Sequence, residues 1–103
     1  MTSNETLETY ASLHRRALTD WIKLHELAIS SDELVKAKPT LLDLGEIMEK
    51  AVRSAAETKA ANLAGLRIKG RMILIDASSA AGSRASLPAL VVSLCQDLET
   101  LPS

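Results

Sequence analysis

The sequence predicts an all-α protein, a three- or four-helix antiparallel bundle. Alanine, the best helix former, is frequent, whereas the strand-favouring aromatic residues are only Tyr10 and Trp21. Apolar residues also recur in four segments at alternating steps of three and four, which is the spacing of one helix face. With 103 residues, the chain is expected to form a single domain, residues 1–103. Helices 1 and 2 are expected to form one hairpin and helices 3 and 4 another.

The first predicted helix covers residues 5–29. Thr2 and Glu5 have the spacing of a capping box, in which two side chains bond the backbone at the helix start. A single stripe follows at helical spacing: Leu7, Tyr10, His14, Ala17, Trp21, Leu24 and Ala28.

The second predicted helix covers residues 41–58 and follows an interruption. Ser30 and Glu33 repeat the capping signature and predict a short helical turn over 32–37. Pro39 is expected to end that turn, because a proline disfavours helical geometry in the residue before it. Thr40 is then expected to cap a helix with a broad apolar face. Its members are Leu41, Leu44, Ile47, Met48, Ala51, Val52 and Ala55.

The third and fourth predicted helices cover residues 62–76 and 87–101, joined by a flexible linker over 77–86. The linker is predicted from its serine, alanine and glycine content. Leu63, Leu66, Gly70, Ile73, Leu74 and Ala77 share one face of the third helix, which Asn62 is expected to cap. Ile68, Met72 and Ile75 share the opposite face. A helix with two apolar faces is buried on both or meets a partner, so these three residues are predicted as a protein interface.

Residues 71–85, RMILIDASSAAGSRA, allow a second interpretation, a buried strand that leads into a phosphate-binding loop. Such a loop needs glycines at fixed spacing, or glycine followed by lysine, so that the backbone can approach the phosphates. This stretch has one glycine, Gly82, and no lysine. A strand would also need partners, and no other segment reads as one. We therefore interpret the stretch as the end of a helix and a connection.

Four larger side chains share one face of the first helix: Tyr10, His14, Trp21 and His25. They could form a ligand or interface surface, or they could be the core-facing side of an amphipathic helix. The two histidines lie roughly 16 Å apart along the axis, which is too far for both to bind one metal ion. Neither a metal nor a cofactor is predicted.

Two further groups of residues could take part in binding or catalysis. Arg67, Arg71 and Arg84 could contact phosphate groups, although a solvated basic face is the simpler interpretation. Cys95, the only cysteine, could act as a nucleophile only with a histidine base nearby, and an inert buried thiol is the preferred interpretation. No catalytic residue is predicted.

Charge and composition indicate which partners and which cellular location to expect for the protein. The formal net charge is −1, so no general attraction to nucleic acid or to an anionic membrane is expected. A single cysteine excludes an internal disulfide. No apolar run approaches the roughly 20 residues that span a bilayer, and the first residues lack the features of a signal peptide. A cytoplasmic location is expected.

Two segments of the second half carry a family pattern, NLAGLRIKGRMILI and LPALVVSLCQDLETL. They resemble the PATT-x-AGL-x-x-KA and SL-x-x-DL segments of small uncharacterised proteins of α-proteobacteria and their prophages. The matching residues are Ala64, Gly65, Leu66, Lys69, Ser93, Leu94, Asp97 and Leu98. The family's proline and threonines before the glycine are absent here. The resemblance implies a small all-helical fold and a phage or mobile-element setting, and it implies no known activity.

These patterns predict a non-enzymatic helical protein–protein interaction module that is oligomeric, binding itself or another protein. The surplus apolar faces and the small core favour this function. The alternative is a nucleic-acid-associated regulator that uses the basic segment 67–84. A small-molecule sensor built on the Tyr10 face is a third hypothesis.

Overall fold

The computed structural model describes residues 2–79 and 86–100, which form four helices and no strand. They are α1 (Ser3–Leu27), α2 (Ser31–Glu57), α3 (Leu63–Ala77) and α4 (Leu87–Thr100). The prediction of an all-α bundle is confirmed. Of the predicted linker over 77–86, residue 77 belongs to α3, and residues 80–85 lie outside the described residues, as does residue 101.

Side-chain caps define three of the helix starts. Thr2 Oγ1 accepts a hydrogen bond from the Glu5 backbone N–H at 3.1 Å, and Asn62 Oδ1 accepts one from the Ala64 N–H at 3.0 Å. At the start of α2, Ser30 Oγ accepts from the Glu33 N–H at 3.2 Å, while Glu33 Oε2 accepts from the Ile29 N–H at 3.0 Å. These bonds satisfy N–H groups that have no partner inside the helix. The caps expected from the sequence are confirmed at all three positions.

The prediction that Pro39 ends a helical turn is wrong, because α2 continues through Pro39 from Ser31 to Glu57. Thr40 is accordingly inside the helix and caps nothing. A proline removes only the hydrogen bond to the carbonyl four residues earlier, here that of Val35. Val35 and Pro39 are both exposed, so water can reach this carbonyl. The neighbouring Ala37 is buried, and its packing holds the segment in helical form.

The four helices form two hairpins that lie side by side. Helices α1 and α2 are joined by residues 28–30 and pack against each other, as do α3 and α4. Across the hairpins, α1 packs beside α3 and α2 beside α4. The α1–α3 pair is parallel, since Asn4 bonds Asn62 near both starts and His14 bonds Asp76 further along both. Helices α2 and α4 are parallel as well.

The core consists of two clusters along the α1–α2 hairpin. The larger lies where all four helices meet and contains Leu7, Val52, Ala55, Ala60, Leu66, Met72 and Leu90. The smaller contains Ala17, Leu18 and Met48, with Trp21, Leu44 and Ile75 packed against it. Alanines hold several of these positions, so the helices approach closely but bury little apolar surface per residue.

The first hairpin extends well beyond the second. Helices α1 and α2 have 25 and 27 residues, whereas α3 and α4 have 15 and 14, and the molecule is 54 Å long and 24 Å wide. His14 contacts Asp76 next to the last residue of α3, so the later half of α1 continues past that end. We call residues 21–45 the protruding hairpin. In the described part of the chain, every helix is too short or too polar to span a bilayer.

Candidate functional site

A buried ionic cluster joins α3, α4 and the end of α2. Lys69 Nζ donates hydrogen bonds to Asp97 Oδ2 at 2.5 Å and to Ser93 Oγ at 2.7 Å. Ser93 Oγ donates to the Ala56 carbonyl at 2.6 Å, and Asp97 Oδ2 also accepts from the Ala60 N–H at 2.9 Å. Lys69 is 0% exposed. Lys69, Ser93 and Asp97 therefore connect three helices and the loop between α2 and α3.

The geometry of this cluster favours a structural role over a chemical one. A serine–lysine pair hydrolyses esters or amides only if the lysine is neutral and can accept the serine proton. Here the ammonium donates to both the Asp97 carboxylate and Ser93, and the Ser93 proton is directed at the Ala56 carbonyl. Burying a charged pair is costly unless hydrogen bonds compensate for the lost water, and these four bonds offset part of that cost.

A second buried pair joins α1 to α3. The His14 imidazole Nε2–H donates to Asp76 Oδ1 at 2.8 Å, and both side chains are 1% exposed. Together with the Asn4–Asn62 hydrogen bond near the two helix starts, this pair fixes the parallel alignment of α1 and α3.

The structure buries the residues of one predicted face to different degrees: Tyr10, His14, Trp21 and His25. His14 is buried, and Tyr10 is half-buried against the larger core cluster. Trp21 is half-buried and stacks on exposed His25 with 4.9 Å between ring centres and 9° between planes. Of these four residues His25 alone is exposed, and its stack with Trp21 lies on the protruding hairpin.

The predicted interface of Ile68, Met72 and Ile75 is mostly covered by the chain itself. Met72 is 1% exposed and belongs to the larger core cluster, so its assignment to an interface is wrong. Ile68 and Ile75 are half-buried against the two clusters. The cover is α1, which packs along this face of α3. The sequence showed two apolar faces but not which of the chain's own helices would cover the second.

The structure describes two of the three predicted phosphate-contacting residues. Arg67 and Arg71 are exposed on α3, and Arg84 lies outside the described residues. Arg71 and Arg15 line one narrow cleft between α1 and α3. Lys69, which belongs to the same basic segment, is buried and faces away from this surface. Cys95 is exposed on α4, contrary to the expected buried thiol.

The ionic cluster was missed in the sequence, although a spacing signal exists for it. Ser93 and Asp97 follow Leu90 at the three- and four-residue steps of a core stripe, and Lys69 follows Leu66 in the same way. Opposite charges at core positions of consecutive helices favour a buried pair. Gly65, Lys69, Ser93 and Asp97 also belong to the residues on which the family resemblance rests.

The fold and the site together define an all-helical bundle. Two buried polar pairs, Lys69–Asp97 and His14–Asp76, link its helices. No family model, curated protein or solved structure matches the chain. Among residues 2–79 and 86–100, no group of three or more histidine, cysteine or acidic side chains could hold a metal ion.

Proposed function

We propose that the chain is a non-enzymatic helical protein–protein interaction module that works as an oligomer. The observation that carries this proposal is the protruding hairpin, which exposes large apolar side chains beyond the ends of α3 and α4. They are Ile22, Leu27, Ile29, Leu34, Val35 and Leu42. Large exposed apolar side chains gathered on one part of a molecule support a protein interaction site there.

The location of the polar groups supports the same function. The buried lysine, histidine and two aspartates hold the helices together in the four-helix part of the molecule. The apolar surface lies at the opposite end, on a two-helix extension. A four-helix base with an exposed apolar extension suits binding of another helix surface. The cytoplasm, and a phage or mobile-element setting, are proposed with it, since one cysteine and the family resemblance favour them.

Site-specific photo-crosslinking tests the proposal. A photoreactive amino acid at residue 42 is expected to form covalent adducts with protein in cells that express the chain. The matched control places it at residue 43, where exposed Asp43 lies on the polar side of the same helix. Equal adduct yields at both positions, or none at residue 42, would overturn the proposal.

A second candidate function is nucleic-acid association through α3. Arg67 and Arg71 are four residues apart and exposed, and Arg15 of α1 joins Arg71 at the same cleft. Three arginines on one surface could contact neighbouring phosphates. Retention on a DNA or RNA column at low salt is expected, and Arg67→Glu with Arg71→Glu should abolish it. An unchanged elution of the double variant would exclude this candidate.

A further inference from the structure

The outer side of the α3–α4 hairpin, which faces away from α1 and α2, is apolar along its whole length. Helices α3 and α4 pack against each other, with α1 beside α3 and α2 beside α4, so no described residue covers this side. Helical spacing places on it Leu63, Gly70 and Leu74 of α3 and Val91, Cys95 and Leu98 of α4. We call these residues the outer face.

The side chains of the outer face are well exposed. Leu63 is 59% exposed, Leu74 68% and Leu98 56%, and Cys95 is exposed beside them. A methyl group added at Gly70 would meet nothing within 4 Å, so an open space lies near the middle of the face. A single exposed leucine is ordinary on a protein surface, but several on one face indicate contact with another protein.

Two charged side chains border the outer face on opposite sides. Arg67 lies at the outer edge of α3, four residues after Leu63. Glu99 lies at the outer edge of α4, four residues after Cys95. Both are exposed, and the ion pairs of the described residues include neither. The outer face therefore has one basic edge and one acidic edge, with uncharged residues between them.

The two edge charges lie at a similar level along the hairpin. Lys69 bonds both Ser93 and Asp97, so this turn of α4 lies beside Lys69. Arg67 comes two residues before Lys69, and Glu99 comes two residues after Asp97. Because the two helices run in opposite directions, both steps lead towards the same end of the hairpin. Each side chain also leans towards the start of its own helix, which brings the two levels closer together.

We infer that a second copy of the chain covers the outer face, packed about a two-fold axis that runs parallel to the helices; this inference extends the proposed function and rests on it. The rotation keeps every residue at its level and places α3 of each copy opposite α4 of the other. Arg67 of one copy then meets Glu99 of the other, and the contact repeats across the axis. Within one chain the two residues lie on opposite edges and cannot pair.

The same rotation brings complementary apolar positions together. Leu63 of one copy lies opposite Leu98 of the other near one end of the face. Gly70 comes one residue after Lys69, and Val91 lies at a similar level on α4, so Val91 of the other copy meets the open space at Gly70. A glycine opposite a valine lets the two helix pairs approach closely.

Charge also selects this axis over the alternative. A two-fold axis across the helices would place α3 opposite α3 and bring the two Arg67 edges together, and such like-charge contacts are unfavourable. The outer face is about 22 Å long and about 20 Å wide, so two copies together bury about 1,000 Å². An interface of this size gives a weak dimer, with a dissociation constant of about 1–100 μM. Both protruding hairpins remain uncovered, at the same end of the dimer.

The first experiment is sedimentation equilibrium of the full chain over a concentration range. A monomer–dimer equilibrium is expected, and Leu74→Glu and, separately, Leu98→Glu should weaken dimerisation by at least about tenfold. Leu42→Glu is the matched control, because Leu42 is 59% exposed on the protruding hairpin and the dimer should persist. Circular dichroism checks that each variant is folded. A monomer at every concentration, or dimers that persist in both outer-face variants, would overturn the inference.

The second experiment reverses the edge charges. Arg67→Glu is expected to weaken dimerisation about three- to tenfold, because it places two acidic residues against each other at both edges. Adding Glu99→Arg should restore the dimer. Arg71→Glu is the control, since Arg71 lies on the side of α3 towards α1. A double variant as weak as Arg67→Glu alone would contradict the proposed axis.

The third experiment tests the pairing of α3 with α4 by disulfide formation. In a Cys95→Ser background, Gly70→Cys and Val91→Cys are expected to form a covalent dimer on mild oxidation only when the two variants are mixed. Arg71→Cys mixed with Val91→Cys is the control, and equal cross-linking in both mixtures would overturn the inference. If the chain is monomeric and residue 42 still photo-crosslinks to another protein, the hairpin site stands and the dimer fails. If the dimer forms and residue 42 gives no adduct, the dimer stands and the hairpin site fails.

Discussion

Lys69 Nζ of α3 lies 2.5 Å from Asp97 Oδ2 of α4, and the lysine side chain is completely buried. This ion pair links the two short helices directly. Asp97 also accepts the Ala60 N–H, so the pair fixes the loop that leads into α3 as well as the helix packing.

Replacing Lys69 by methionine is expected to destabilise the protein by about 3–5 kcal/mol, because Asp97 then remains buried without its counter-ion. Adding Asp97→Asn should recover part of this loss, since the amide oxygen can still accept the Ala60 N–H and no buried charge remains. Urea unfolding followed by circular dichroism measures both free energies. The interpretation fails if the double variant is as unstable as the sum of the two single variants.

The exposed ion pair between Glu49 and Arg53 provides the matched control. Its atoms are 3.6 Å apart on the surface of α2. Arg53→Met is expected to change the free energy of unfolding by less than about 0.5 kcal/mol, because solvent screens an exposed pair.

Removing the buried imidazole should loosen the contact between α1 and α3. His14→Leu takes away the N–H that the Asp76 carboxylate accepts, and a loss of about 1–3 kcal/mol is expected. His14→Gln retains an amide donor and should cost less. Lys23→Gln, at an exposed position of the same helix, is the control for both in thermal unfolding. Equal losses for the leucine and glutamine variants would show that packing, and not the hydrogen bond, matters at this position.

Two glycines of α3 should respond to alanine in opposite directions. A methyl group at Gly65 would collide with Asn4 Oδ1 and lie 2.9 Å from Ala60 Cβ, so Gly65→Ala is expected to destabilise the protein. A methyl group at Gly70 would meet nothing within 4 Å, and Gly70→Ala should stabilise it by about 0.5–1 kcal/mol. The midpoint of urea unfolding distinguishes the two cases. A gain in stability for both variants would contradict the close approach at Gly65.

Replacing Pro39 should strengthen α2. Pro39→Ala restores an N–H that can bond the Val35 carbonyl, and a gain of about 1–3 kcal/mol is expected because proline is the least favourable residue within a helix. Lys38→Ala, one position earlier, is the control and should have little effect. Thermal unfolding would show a higher midpoint for the proline variant alone, and no difference between the two would contradict this account of the helix.

The fold was largely predictable from the sequence because its signals are local. Capping residues such as Ser30 and Asn62, together with helical spacing of the apolar residues, specify where helices begin and which face is buried. Pro39 misled the prediction, since the packing that compensates for a missing hydrogen bond comes from residues on both sides of it and from α1. Local geometry alone carries no information about such tertiary compensation.

The candidate site was less predictable because it depends on which helices become neighbours. From the sequence, Lys69 belongs to the same basic segment as Arg67 and Arg71, and nothing local to it predicts burial. Its burial follows only from the contact with α4, where Asp97 and Ser93 hold complementary positions. The sequence likewise predicts that Met72 contacts a partner, whereas α1 covers it in the structure.

The difference in length between the hairpins implies that local opening is graded along the two long helices. Backbone amides near Leu7 and Val52 lie where four helices pack, and their hydrogen exchange should require unfolding of most of the domain. Amides near Leu24 and Leu41 are held by two helices only, so they should exchange through smaller fluctuations. Each long helix would thus combine a slowly exchanging end and a rapidly exchanging end in one continuous element. A protein that docks on the hairpin would slow exchange at the second end and leave the first unchanged.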